Sequence, residues 1–352
     1  MSEKQWIIYG AYGYSGLLIA REAKRLGLNP ILAGRSQEKV ETLANELGFR
    51  HSAFSLDDPS TVADQLKEMH LVLHCAGPFS ATSPPMVEAC LRTKTHYLDI
   101  TGEIEVFEYI HNQNDRIRDA GIVMCPGVGF DVIPTDCLAA TLKDSLPDAT
   151  HLMLGFESKS GMSAGTAKTS VEGIKVGGRI RQDSVIMEVP LAYKERTIDF
   201  GNGEKNAVSI PWGDVSTAYY TTGIPNIEVY VPLPPSTVST LKMMRYIRPI
   251  LATDTIQSIL KYRITKTVTG PSEEERTGNP SYVWGEVLNE KGEKKTARVK
   301  TANGYVVTMY GSLAIVSKLL DEDVDPGSKT PSQIMGKEFV ASLPGSSEIE
   351  FD

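Results

Sequence analysis

Two carboxylates stand where short apolar runs end in glycine. Thr101-Gly102-Glu103 follows His96-Tyr97-Leu98-Asp99-Ile100, and Gly127-Val128-Gly129-Phe130-Asp131 follows Ile122-Val123-Met124-Cys125. A carboxyl group at a strand end, beside backbone that carries no side chain, can pass a proton to a reacting atom. That is the one chemical act a hydride-transfer site must add to its cofactor. Ser163 and Thr166, within Ser163-Ala164-Gly165-Thr166, offer hydroxyls for the same substrate. Each has a structural reading beside the chemical one: Glu103 as a first-turn acid, Asp131 as a turn cap, Ser163 as a helix cap. Cys125 reads as a buried structural thiol, and Asp99, inside its strand, is not counted among the acids.

A second set of residues could hold the hydride carrier. Gly10-Ala11-Tyr12-Gly13-Tyr14-Ser15-Gly16 follows the apolar run Trp6-Ile7-Ile8-Tyr9 and opens the helical pattern Leu17, Leu18, Ala20, Ala23. In such a turn Gly10 allows the exit from the strand, Gly13 lets backbone approach a pyrophosphate, and Gly16 lets the helix sit close to the sheet. The next apolar run, Pro30-Ile31-Leu32-Ala33, ends in Gly34-Arg35-Ser36, where an NAD site carries an acid for the ribose 2′-hydroxyl. Arginine there pairs with a 2′-phosphate through its planar donor fork, and Ser36 adds a hydroxyl while capping the helix Gln37 to Leu47. The expected cofactor is NADP. The plain alternatives are a glycine-rich turn without ligand and an ordinary N-cap beside a solvated arginine.

The elements around these residues alternate. Apolar runs near residues 6–9, 31–33, 53–54, 71–75, 96–100 and 122–125 are separated by helical patterns, among them Gln37 to Leu47 with Val40, Leu43, Ala44 and Leu47 on one face. Asp58-Pro59 starts a helix to about Met69, and others run from about Pro85 to Thr93, Ile104 to Ala120 and Thr135 to Leu146. This alternation predicts an α/β fold, a Rossmann-type doubly wound parallel sheet, with ligands at the carboxyl ends of its strands. From about His151 the pattern becomes mixed α+β. A strand at Leu152 to Glu157, a helix at Thr166 to Val176 and a hairpin about Gly201-Asn202-Gly203 lead to a strand at Asn226 to Val231 and helical sequence from Ser236 to Tyr262. A three-stranded meander follows over Tyr282 to Leu288, Lys294 to Thr301 and Tyr305 to Met309, then a helix to Leu320 and a short one after Thr330-Pro331. Val283, Val287 and Val306 in the meander form an apolar row expected to meet a second copy, making a homodimer.

The chain has 352 residues and a net charge of −8, which argues for two domains and against a nucleic-acid partner. Arg245, Arg248, Lys261, Arg263 and Lys266 are the local basic exception, read equally well as a solvated helix face. Four cysteines show no C-x-x-C pair and no metal-ligand spacing, so no metal is expected. The N-terminus enters the first strand directly and no apolar run approaches the length of a membrane span. The expected compartment is the cytoplasm.

Gly10 to Gly16, Ala33-Gly34-Arg35-Ser36, Ala76-Gly77-Pro78-Phe79, Tyr97-Leu98-Asp99-Ile100-Thr101-Gly102-Glu103, Gly129-Phe130-Asp131 and Ser163-Ala164-Gly165-Thr166 together resemble the saccharopine dehydrogenase-like oxidoreductases. The trans-acting enoyl reductases are nearest in pattern, with a longer middle. The resemblance implies an NADP-binding domain over residues 1–134, a mixed α+β substrate and dimerisation domain over 135–320 that covers the nicotinamide, and a C-terminal segment, about 321–352, that returns to the first domain. By position it assigns Gly10, Tyr12, Gly13, Tyr14, Ser15 and Gly16 to the pyrophosphate, Arg35 and Ser36 to the 2′-phosphate, and Ala76, Gly77 and Pro78 to the nicotinamide ribose. The reading is therefore an NADP-dependent oxidoreductase acting on an unsaturated, imine or carbonyl small molecule, with an enoyl lipid intermediate as one candidate. Asp131 or Glu103 would be its acid. The alternative is a non-catalytic NADP sensor. Tyr262 to Lys266 matches the short-chain dehydrogenase Tyr-x-x-x-Lys pair only by coincidence, being far beyond the sixth strand.

Overall fold

The computed structural model describes residues 4–159, 173, 177–251, 253–267, 270 and 272–352. The chain divides into two compact units, Met1–Asp131 with Tyr305–Met335, and Val132–Gly304 with Gly336–Asp352.

In the first unit, strands β1 (Trp6–Tyr9), β2 (Ile31–Gly34), β3 (Arg50–Ala53), β4 (Leu71–His74), β5 (His96–Asp99) and β6 (Val123–Cys125) alternate with helices α1 (Tyr14–Arg25), α2 (Gln37–Leu47), α3 (Pro59–Leu66), α4 (Phe79–Thr93), α5 (Ile104–His111) and α6 (Asn114–Ala120). The strand order is β6-β5-β4-β1-β2-β3 with every pair parallel, which is the doubly wound order expected from the alternation. The central strands β1, β2 and β4 are buried along their whole length, as continuous apolar runs covered on both faces must be. Helix starts follow their capping residues: Asp58 accepts from the Ser60 and Thr61 amides, and Gly48 closes α2 at a φ of +71°. The expected helix Ile104 to Ala120 is interrupted at Asn112 and Gln113, which separate α5 from α6.

A seventh strand, Gly327–Ser328, adds to the edge of β6 in parallel. It is delivered by a helix, Gly304–Asp321, that begins where the sequence pattern predicts the meander's third strand. Tyr305, Val306 and Val307 read as β-formers, but the apolar stretch they open is a long buried helix. So the return to the first unit starts at Tyr305 rather than near residue 321, and Gly336–Asp352 belongs to the second unit, where Glu350–Phe351 pairs with the strand Lys294–Thr301.

The second unit opens with α7 (Ile133–Ser145) and β7 (His151–Ser158), and continues through β8 (Gly178–Gln182), β9 (Val185–Val189), β10 (Glu195–Asp199), β11 (Glu204–Ser209), β12 (Asn226–Pro232), β13 (Ser281–Leu288) and β14 (Lys294–Thr301) in one mixed sheet. The β10–β11 hairpin stands where Gly201-Asn202-Gly203 predicts it. The β8–β9 hairpin carries no such signal, because its turn uses Asp183 and Ser184 at φ of +49° and +69° in place of glycine. Val283 and Val287 do not face outward. Both are fully buried on the side of the sheet covered by α7, where a β-carbon at Gly285 would lie 2.6 Å from Leu142 and 3.2 Å from Leu138. The apolar row expected to join two copies is thus covered by the unit's own helix, and Val306 lies in a helix rather than the meander. Ser163-Ala164-Gly165-Thr166 and most of the helix predicted there lie outside the described residues.

Candidate functional site

The carboxyl ends of β1, β2, β4, β5 and β6 carry the turns singled out by sequence. Gly10 adopts a φ of +85°, and a β-carbon there would stand 2.8 Å from both Cβ and N of Ala76, so the β1 and β4 turns meet only because Gly10 has no side chain. The Gly13 amide donates to the Gly10 carbonyl at 2.9 Å, and a β-carbon on Gly13 would come 3.1 Å from that oxygen. At Gly16 the β-carbon would overlap the same carbonyl and approach Ala11 Cα at 3.0 Å, so the start of α1 folds against its own turn. Gly13 caps α1 with no side-chain acceptor, and the first turn contains no acid. The amide end of α1 thus has neither a capping side chain nor a first-turn acid, as suits an anion.

Tyr12 has a different place from the one its position in the turn suggests. Its ring lies on Gly34, where a β-carbon would be 2.5 Å from Cε1, and its hydroxyl accepts the Ser36 amide at 3.3 Å. Tyr12 therefore braces the β2 turn. Arg35 is exposed and has no ion-pair partner among the described residues, while Ser36 Oγ accepts the Lys39 amide at 3.5 Å as the cap of α2. Lys39 projects over the Tyr12 ring, 5.8 Å from its centre. Two cations beside a capped helix start, with Arg35 and Ser36 directly after β2 where an acid would bind a ribose hydroxyl, suit a phosphate better.

The third turn, Ala76-Gly77-Pro78, is held by side chains that sequence reasoning passed over. Thr82 Oγ1, one turn into α4, donates to the Ala76 carbonyl at 2.6 Å, lies 3.0 Å from that of Pro78, and is met by His74 Nε2 at 3.0 Å. His74 is fully buried among Tyr9, Phe79 and Tyr97, and burial holds its imidazole neutral, with a pKa of about 3. Glu103 contributes the other support. Its Oε1 accepts the Phe79 amide at 2.9 Å and its Oε2 the Ser80 amide at 2.7 Å, capping α4, whose own N-cap residue is Pro78. Both oxygens of this candidate acid thus hold a helix start.

Asp99 ties β5 to β6. It is fully buried, takes the Tyr97 hydroxyl at 2.6 Å on one oxygen and the Thr101 and Gly127 amides, each at 2.9 Å, on the other. Burial nevertheless pushes its carboxyl up to about 6. Beyond this knot, Asp131 lies against Gly102, and the enclosing protein raises its carboxyl also to about 6, although part of its surface stays accessible. The Gly129-Phe130 backbone is fixed by Thr308 of the returning helix, whose hydroxyl accepts the Phe130 amide at 3.0 Å. The same helix sets Tyr305 edge-on to Tyr14, ring centres 4.9 Å apart. Thr308 and Tyr305 are remote in sequence and carry no motif. No group of three metal-ligating side chains occurs among the described residues, and no helix there is long and apolar enough to cross a membrane.

Residues 6–125 match the saccharopine dehydrogenase NADP binding domain family. A saccharopine dehydrogenase-like oxidoreductase of Bos taurus is 25% identical over 251 residues, 61% of this chain and 58% of its own. A trans-acting enoyl reductase of Mycobacterium ulcerans is 30% identical over 145 residues, 38% of this chain and 34% of its own. The matches thus span little more than half, or less, of these relatives' lengths. The solved structure of apo histidine-tagged saccharopine dehydrogenase (L-Glu forming) from Saccharomyces cerevisiae matches over 99% of both chains, with a TM-score of 0.65 at 12% identity. It shares the fold of a parallel sheet followed by a mixed-sheet domain.

Proposed function

We propose that this chain, whose residues 6–125 form a saccharopine dehydrogenase NADP binding domain and whose homologues are saccharopine dehydrogenase-like oxidoreductases, is an NADPH-dependent reductase of a small molecule with a polarised double bond. The observation that carries this reading is Asp131: a partly exposed residue whose carboxyl has a raised pKa and lies against Gly102 after β5, at the same carboxyl end of the sheet as the glycine turn and the Arg35-Ser36 pair.

The residues present fit the cofactor. Uncapped amides at the start of α1 would hold the pyrophosphate, with Gly13, Tyr14, Ser15 and Gly16 around it. Arg35, Ser36 and Lys39 would take the 2′-phosphate, Tyr12 would brace them, and Ala76, Gly77 and Pro78 would face the nicotinamide ribose. Bound NADPH supplies a hydride to an electrophilic carbon. Asp131, with its pKa near 6, keeps a protonated fraction close to neutral pH and delivers that proton to the product atom. Glu103 positions the Gly77-Pro78 turn rather than transferring the proton. Ser163 and Thr166 are assigned to the substrate. The enoyl reductase relative favours a carbon–carbon double bond conjugated to a carbonyl over an imine.

The test is NADPH consumption, followed by absorbance, across enoyl thioesters, cyclic imines and carbonyl compounds. Oxidation of one class, lost in Asp131→Asn with NADPH affinity retained, is the expected result. NADPH binding without turnover on any class would favour the sensor reading.

A further inference from the structure

Two consecutive helices of the second unit, Pro235–Leu251 and Asp254–Thr267, each expose large apolar residues that the NADP site does not use. The first helix is anchored along one side. Val238 is buried beside Val208 and Ala192, Leu241 packs on the same cluster, and Arg245 donates Nε and Nη2 to the carbonyls of Leu191 and Ala192, both at 2.7 Å. Its opposite side, spaced i and i+3, carries Met243 at 64% and Tyr246 at 87% exposure. The second helix repeats the arrangement. Gln257 is buried and donates to the Leu251 carbonyl at 2.9 Å, whereas Ile259 and Tyr262 stand 50% and 65% exposed.

Charge says what covers this face. Residues 235–267 contain six lysines and arginines against a single aspartate, in a chain of net charge −8. Lys242 is paired with Glu195, but Arg263, next to Tyr262, is exposed with no ion-pair partner among the described residues. A second copy is disfavoured, because a two-fold contact would set this predominantly basic segment against itself. Nucleic acid would gain nothing from exposed methionine and isoleucine. Exposed tyrosine, methionine and isoleucine in a segment rich in Lys and Arg match instead the boundary between anionic headgroups and acyl chains.

We propose that this helical pair docks the protein onto an anionic lipid surface, with Met243, Tyr246, Ile259 and Tyr262 entering the headgroup boundary. The inference does not depend on the reductase reading, and its test needs no substrate. Full-length protein is floated with phosphatidylcholine vesicles with or without added phosphatidylserine. Binding should be about tenfold or more stronger to the anionic vesicles and should fall with added salt. The Tyr246→Ser/Tyr262→Ser double variant and Arg263→Glu should each lose most of it, with circular dichroism and NADPH affinity unchanged. No flotation, equal flotation with neutral vesicles, or unaffected variants would overturn the proposal. So would a dimer by sedimentation equilibrium that Tyr246→Ser abolishes, or binding to duplex DNA but not to vesicles, since either would assign the face to another partner.

Discussion

A β-carbon on Gly102 would sit 2.7 Å from Oδ2 and 3.3 Å from Cγ of Asp131, so the bare backbone after β5 is what leaves that carboxyl its place. Gly102→Ala should push Asp131 out of position. Turnover should fall toward that of Asp131→Asn, about 10² to 10⁴-fold below the parent, while NADPH titration by fluorescence stays close to normal. Full turnover in both variants would remove Asp131 from the chemistry.

Arg35 has no ion-pair partner among the described residues, so its loss should be felt by the 2′-phosphate alone. Arg35→Ala is expected to weaken NADPH by about ten- to a hundredfold, the worth of one charge-assisted contact, with NADH unaffected. Equal weakening of both cofactors would place Arg35 elsewhere.

Gly13→Val places a branched side chain 3.1 Å from the Gly10 carbonyl, at the start of α1. NADPH binding should disappear while the far-ultraviolet dichroism is kept. Gly16→Ala, whose β-carbon meets backbone that cannot move aside, should in addition cost about 1 to 3 kcal/mol of stability in urea.

Thr82 serves His74 and two carbonyls at once. Thr82→Val leaves buried His74 Nε2 and the Ala76 carbonyl without their partner, at a cost of about 1 to 3 kcal/mol. Thr82→Ser keeps the hydroxyl and should recover most of this, which separates hydrogen bonding from packing.

Burial raises the Asp99 carboxyl from 3.8 to about 6. The folded protein then holds this proton more tightly than the unfolded chain. Its contribution to stability is complete below pH 3.8 and disappears as pH rises through about 6. Relative to Asp99→Asn, which cannot titrate, the parent should lose up to about 3 kcal/mol between pH 4 and 6. Parallel stability profiles for the two proteins would show that Asp99 titrates normally.

The alternation of apolar runs and helical patterns decided the first unit by itself, because a fully buried parallel strand and an amphipathic covering helix leave opposite signatures in sequence. The glycine turn and the Ser36 cap of α2 were legible for the same local reason. Each is a steric or charge requirement met within a few residues of one strand end. What the tertiary structure decided is everything that depends on a distant neighbour. Val283 and Val287 look available to a partner until α7 covers them. Glu103 looks like a free acid until two amides of α4 reach it from more than twenty residues away. Tyr305 to Val307 carry strand-forming residues yet fold as helix, since burial on several sides overrides a propensity worth only tenths of a kcal/mol. Thr308 shows no sequence signal at all, because its role is to meet the Phe130 amide at 3.0 Å across 178 residues of chain, and only the folded path of the backbone brings them together.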